Sequence, residues 1–135
     1  MSITRTATRV FTPEDIDTCA RLTGDLGSHH MIGFGDRRMA QGVLTLSAVP
    51  LLTAPGVHMR ELSFTFLAPV YAGDTVTAAA RLTESEELSD DLVLATCQVS
   101  VVKGDGTTAL TGTGIAELSR ALADELATET APQGD

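Results

Sequence analysis

Between Gly24 and Arg38 the chain reads Gly-Asp-Leu-Gly-Ser-His-His-Met-Ile-Gly-Phe-Gly-Asp-Arg-Arg, an irregular stretch that holds Asp25 and two of the three histidines, His29 and His30. A carboxylate and an imidazole a few residues apart can pass protons to and from a reacting molecule. A connection this long inside a compact domain is often functional. It leads into Met39-Ala40-Gln41-Gly42-Val43-Leu44, where Gly42 fits the start of an apolar helix. The first N–H groups of a helix lack partners within it and carry partial positive charge. With no side chain at Gly42, a ligand oxygen could approach that end closely. The chemistry suggested is proton transfer next to a donor for a developing negative oxygen.

The rest of the chain must position these groups. Val43 to Leu52 is apolar except for Thr45 and Ser47. A helix apolar on every face has to be buried, and one spanning about 41–53 would place Leu44, Ala48, Leu51 and Leu52 on a shared face. A run this short also leaves a strand open, and Pro50 would kink or end a helix. Ser2–Phe11 reads as a strand. Thr12-Pro13-Glu14-Asp15 is a helix start with a cap, a proline at the first position and two acids in the first turn. Ile16, Cys19, Ala20 and Leu22 would face the core, and the helix would stop near Thr23-Gly24. Strands are expected over His58–Leu67, Thr75–Thr83, Leu92–Lys103 and Thr107–Glu117 from their alternation. Turns are expected at Pro55-Gly56, Ala68–Asp74, Glu84–Asp91 and Lys103–Gly106. Leu118–Ala127 could form a short helix. The expected product is a single α+β domain, residues 1–127, with a loose tail at 128–135. Four strands in hairpin succession would curl as an antiparallel meander around the buried helix.

Composition limits the function. With 135 residues, 43% of them hydrophobic, the chain can build one core. A net charge of −9 argues against a nucleic-acid backbone and against an anionic membrane. Cys19 and Cys97 form no CxxC pair, which disfavours both a disulfide framework and a cysteine zinc site. No apolar run reaches the ~18–20 residues that span a bilayer, so a soluble cytoplasmic protein is expected. The lack of Trp and the single Tyr argue against a base-stacking surface.

Three motifs occur in order: Thr23-Gly24-Asp25 followed by His30, Met39-Ala40-Gln41-Gly42-Val43-Leu44, and Phe66-Leu67-Ala68-Pro69-Val70-Tyr71-Ala72-Gly73-Asp74. Together they resemble the MaoC-like hydratase/dehydratase family, which has the hot-dog fold. That family carries a Gly-Asp-x-Asn-Pro-x-His segment, a His-Gly pair opening the central helix and a Pro-Val-x-x-Gly-Asp turn. The resemblance covers roughly Phe11 to Val76. Gly27 and Ser28 stand where the family has Asn and Pro, and Gln41 where it has His. A branch with Asp-x-Gly-x-His-His and Gln-Gly is the better match.

The resemblance implies a hydro-lyase that hydrates 2-enoyl thioesters or dehydrates 3-hydroxyacyl thioesters, linked to CoA or to an acyl carrier protein. Asp25 and His30 would be the catalytic pair, Gly42 the oxyanion donor, and Gln41 and His29 further substrate-binding candidates. No metal or redox cofactor is required, since CoA or phosphopantetheine belongs to the substrate. Each residue also has a structural reading. Asp25 after glycine can be a turn acid, His29 a surface residue, and Asp36, Arg37, Arg38 and Arg60 solvated charges or contacts to a carrier-arm phosphate. Ser47 has no neighbouring His to activate it, and Cys97 alternates with core valines. Two alternatives stand beside the lyase: a hot-dog acyl thioesterase, and a non-hydratase member that binds or reshapes an acyl or polyketide-like product. A homodimer whose interface lines the site is expected, because one sheet leaves part of an all-apolar helix uncovered.

Overall fold

In a computed structural model, residues 2–31, 38–52 and 54–130 are described; the side chains of Ser28, His29, Glu84, Ser85, Glu129 and Thr130 are excepted. The elements are β1 (Ser2–Val10), α1 (Pro13–Thr23), α2 (Ser28–Met31), α3 (Gly42–Leu46), β2 (Val57–Phe66), β3 (Thr75–Glu87), β4 (Leu92–Lys103), β5 (Thr108–Ser119) and α4 (Arg120–Thr130).

Helix α1 begins with a reciprocal cap. The Thr12 hydroxyl accepts the Asp15 N–H at 3.1 Å, and the Asp15 carboxylate accepts the Thr12 N–H at 2.9 Å. It ends at Gly24, whose φ of 75° lets its N–H reach the Ala20 carbonyl. Ile16, Cys19 and Ala20 are buried as expected. Leu22, expected in the core, is 83% exposed. Ile16, Cys19 and Ala20 set the buried stripe, and Leu22, two positions past Ala20, falls on the opposite, solvent side.

The five strands form one antiparallel sheet in the order β1-β3-β4-β5-β2. The hairpins β3–β4 and β4–β5 follow the expected succession. The β2–β3 pairing does not form: β2 crosses to the far edge and pairs with β5, with Phe66 opposite Leu110. The physical reason lies in the connection from Leu67 to Asp74, too long and proline-bearing for a tight hairpin, which lets β2 and β3 part company. Strand β3 also runs on to Glu87 through a bulge between Glu84 and Glu86, shortening the turn expected at Glu84–Asp91.

One face of the sheet is the core. Val76, Ala78, Ala80 and Leu82 of β3 and Val93, Ala95, Cys97, Val99 and Val101 of β4 are buried in strict alternation. Fully burying each larger aliphatic side chain is worth about 1.5–3 kcal/mol. Against this face lie Leu44, Ala48 and Val49 from the central segment. That segment is helical only over Gly42–Leu46, much shorter than the expected 41–53. Beyond it the chain tightens, with Ala48 N–H bonding Thr45 O and Val49 N–H bonding Leu46 O, then turns at Pro50 and at Leu51, whose φ is 72°. Pro50 has no N–H for the Leu46 carbonyl, so the helix cannot continue through this segment. Helix α4 reaches Thr130, three residues past the expected end of the domain, and buries Ala123 and Leu126; residues 131–135 of the expected tail lie outside the described residues.

Candidate active site

His30 sits in the single turn α2 and is 5% exposed. Its Nδ1 lies 2.7 Å from the Met39 carbonyl oxygen. A carbonyl only accepts, so Nδ1 carries the hydrogen. That leaves Nε2 to face Asp25, whose Oδ2 is 3.2 Å away. Two lone pairs at that distance repel, so the contact is attractive only with a proton on one partner. The geometry therefore sets a carboxylate against the one uncommitted ring nitrogen, a pair able to share a proton.

Asp25 stands just past the C-cap glycine of α1. Its N–H donates to the Thr23 hydroxyl at 3.2 Å, and that hydroxyl donates to the Cys19 carbonyl at 2.7 Å. The Asp25 side chain is 46% exposed, so the dyad has one buried member and one wet member. Arg38 supports the other side. Its Nε donates to the His30 carbonyl at 2.7 Å, and its Nη2 reaches Asp17 Oδ1 at 2.6 Å. It is thus an internal tie, where a solvated charge was the structural expectation.

His30 lies on the wall of a cavity of about 420 Å³ that is otherwise mostly apolar, lined by Met39, Ala40, Gly42, Thr45 and the stretch from Phe66 to Val70. Lys103 braces the lip by donating to the Pro69 carbonyl at 3.1 Å and pairing with Asp74 at 3.2 Å. Gly42 meets the cavity as its sequence context suggests, but the Phe66 ring lies over it. A Cβ at position 42 would overlap that ring.

The other candidates are placed differently. The Gln41 side chain is fully buried and turned toward α1, donating to the Ile16 carbonyl at 3.0 Å, with its Oε1 unpartnered. It does not line the cavity. The side chain of His29, and all of Asp36 and Arg37, lie outside the described residues. Arg60 is half exposed, 3.8 Å from Glu117. The Ser47 hydroxyl donates to the Leu44 carbonyl. Cys97 is buried, and burial pushes its thiol pKa up, as suits a core residue. Sequence reasoning missed the Met39 carbonyl, which no side-chain pattern could reveal. It also missed Phe66 as a site residue, although its alternation with Leu62 and Phe64 put the three on one face of the strand. Among the described residues no cluster of His, Cys, Asp and Glu could hold a metal, and no helix is long and apolar enough to cross a membrane.

No family model matches the sequence, and no curated protein matches it. Solved structures do. An (R)-hydratase from A. caviae involved in PHA biosynthesis is 23% identical, with a TM-score of 0.72 over 87% of this chain and 95% of that one. A MaoC-like dehydratase from Rhodospirillum rubrum is 16% identical, with a TM-score of 0.65 over 89% and 91%. The HadBC (3R-hydroxyacyl-ACP dehydratase) complex from Mycobacterium tuberculosis is 15% identical, with a TM-score of 0.59 over 86% and 94%, so the similar structures include assemblies of more than one subunit. The five-stranded antiparallel sheet, the short helix packed against it and these neighbours agree: this chain has the hot-dog fold, as found in solved (R)-hydratases and MaoC-like dehydratases.

Proposed function

We propose that the protein is a hydro-lyase that adds water to 2-enoyl thioesters or removes it from 3-hydroxyacyl thioesters. The observation that carries this is the Asp25–His30 contact of 3.2 Å at the wall of an apolar cavity. Hydration requires an oxygen–hydrogen bond of water to break, a carbon–oxygen bond to form at C3, and a proton to arrive at C2. One member of the dyad takes the proton from water while the other delivers the proton to C2, and the reverse reaction runs the same path backwards. Fixing Nδ1–H on Met39 leaves His30 only Nε2 for this work, next to Asp25. The thioester oxygen gains charge midway. The Gly42 N–H, at the first turn of α3, is the donor on the cavity wall for it. The Phe66 ring must then yield space as the thioester enters. It is 52% exposed and packs edge-on against Phe64, at 5.3 Å between ring centres, so the two rings shift together. The acyl chain lies along Leu67–Val70, and its CoA or carrier-protein arm extends to solvent. No redox or metal cofactor is needed for this chemistry.

The working unit in this proposal is a homodimer. β2 is an edge strand, and Phe64 and Phe66 on it and Leu67 just after it are 36%, 52% and 57% exposed. An apolar edge of this kind invites pairing with another chain. A second copy there would cover Phe66 and Leu67 and so roof the cavity. The deciding experiment incubates the purified protein with 2-enoyl and 3-hydroxyacyl thioesters of several chain lengths. Gain or loss of water supports the lyase. Release of free thiol alone, or no turnover across the panel, overturns it.

A further inference from the structure

We infer that Arg38, held by Asp17, is a positioning residue that sets His30 for proton transfer. Helix α2 is a single turn of four residues, too short to hold its shape in water by its own hydrogen bonds. Something outside α2 must fix the His30 backbone. The Arg38 guanidinium does so, with Nε on the His30 carbonyl at 2.7 Å and Nη2 on Asp17 at 2.6 Å. Nη2 also lies 3.9 Å from Met31 Sδ. The Arg38 carbonyl is fixed in turn by the Ala72 N–H at 2.8 Å, and the neighbouring Met39 carbonyl takes the His30 ring hydrogen. Two consecutive residues thus grip one histidine: the Arg38 side chain holds the His30 backbone carbonyl, and the Met39 carbonyl holds the His30 ring.

The choice of arginine matters. A planar fork sends donors in two fixed directions at once, which a lysine ammonium on a flexible stem cannot reproduce. The Arg38 side chain is only 20% exposed, unlike the surface ion pairs that contribute little. Releasing the His30 carbonyl would let Nε2 drift from Asp25. A misplacement of about 1 Å in a catalytic group can cost about 10²-fold in rate. The inference rests on the hydro-lyase reading for its kinetic consequence, but not for its structural one.

The test uses Arg38→Met, Arg38→Lys and Asp17→Ala in the full chain. Ring-nitrogen NMR, with His30 assigned by the signal lost in His30→Ala, reports its tautomer directly. The expected result is one sharp set of ring signals with Nδ1 carrying its hydrogen in the parent, and mixed or exchange-broadened ring signals in Arg38→Met. On a working thioester, kcat should fall about 10–100-fold with KM little changed. Arg38→Met should lower kcat no further in a His30→Ala background. Arg38→Lys should not rescue. Unchanged ring signals and kcat in folded Arg38→Met overturn the inference. Should Arg38→Met fail to fold, Asp17→Ala decides on the same readouts, since it removes only a partly exposed carboxylate. A parent inactive on every thioester defeats the lyase reading instead, and the ring signals alone then judge the clamp.

Discussion

Asp25 Oδ2 stands 3.2 Å from His30 Nε2, while the other nitrogen of that ring is committed to the Met39 carbonyl at 2.7 Å. A histidine with one nitrogen tied to a carbonyl has a single working end. Here that end faces a carboxylate, so the two groups exchange a proton or lose their contact.

Asp25→Asn and His30→Ala should each lower turnover by about 10²–10⁴-fold, the usual cost of removing a general acid or base. Asp25→Asn should melt close to the parent, because the side chain is nearly half exposed. His30→Ala should also destabilise by about 1 kcal/mol, since it leaves the part-buried Met39 carbonyl without its donor. Steady-state rates on a working thioester, together with thermal melts, measure both. Near-parental rates in the two variants would end the dyad mechanism.

Gly42→Val should damage catalysis more than stability. Its Cβ must displace the Phe66 ring, which belongs to the half-exposed end of β2 and not to the closely packed core. The added branches then stand where the thioester oxygen has to approach. The expected outcome is a melting temperature within a few degrees of the parent and kcat/KM lower by at least about tenfold. An unchanged kcat beside a large fall in melting temperature would make Gly42 a packing residue.

Cys97 should resist thiol reagents at neutral pH in a Cys19→Ala background, because only the thiolate reacts and burial keeps this thiol protonated. The sign for stability follows from the same shift. In the unfolded chain the thiol ionises near about pH 8.5, whereas in the folded chain it does so higher. The Cys97 contribution is therefore complete below about pH 8.5 and is lost as pH rises from there through the raised native value. Melts between neutral and alkaline pH should show a shallower decline for Cys97→Ala than for the parent, from a lower starting point.

The protein should run as a dimer in sizing with light scattering at low micromolar concentration. Phe64→Lys on the exposed edge of β2 should shift it toward monomer and reduce turnover together. A folded monomer with full activity would remove the partner from the site and leave the cavity open as it stands.

Local chemistry was legible in the sequence because it depends on neighbours along the chain. The cap at Thr12, the left-handed stop at Gly24, the alternation of β4 and the nearness of Asp25 to His30 are of this kind, and the structure has each of them. Tertiary structure decided the pairing of β2 with β5 in place of β3, a choice between distant edges that no local pattern encodes. It also decided that Gln41 serves Ile16 from inside the core, that Phe66 covers Gly42, and that Arg38 ties α1 to α2. The helix fell between the two. Its apolar run gave the burial of Leu44, Ala48 and Val49 but left Val43 half exposed, and the length was set by Pro50 and the turn at Leu51, where a lost backbone donor outweighed a continuous apolar pattern. The tautomer of His30 belongs wholly to the fold, because its partner is a backbone carbonyl, which every residue possesses and only three-dimensional placement can select.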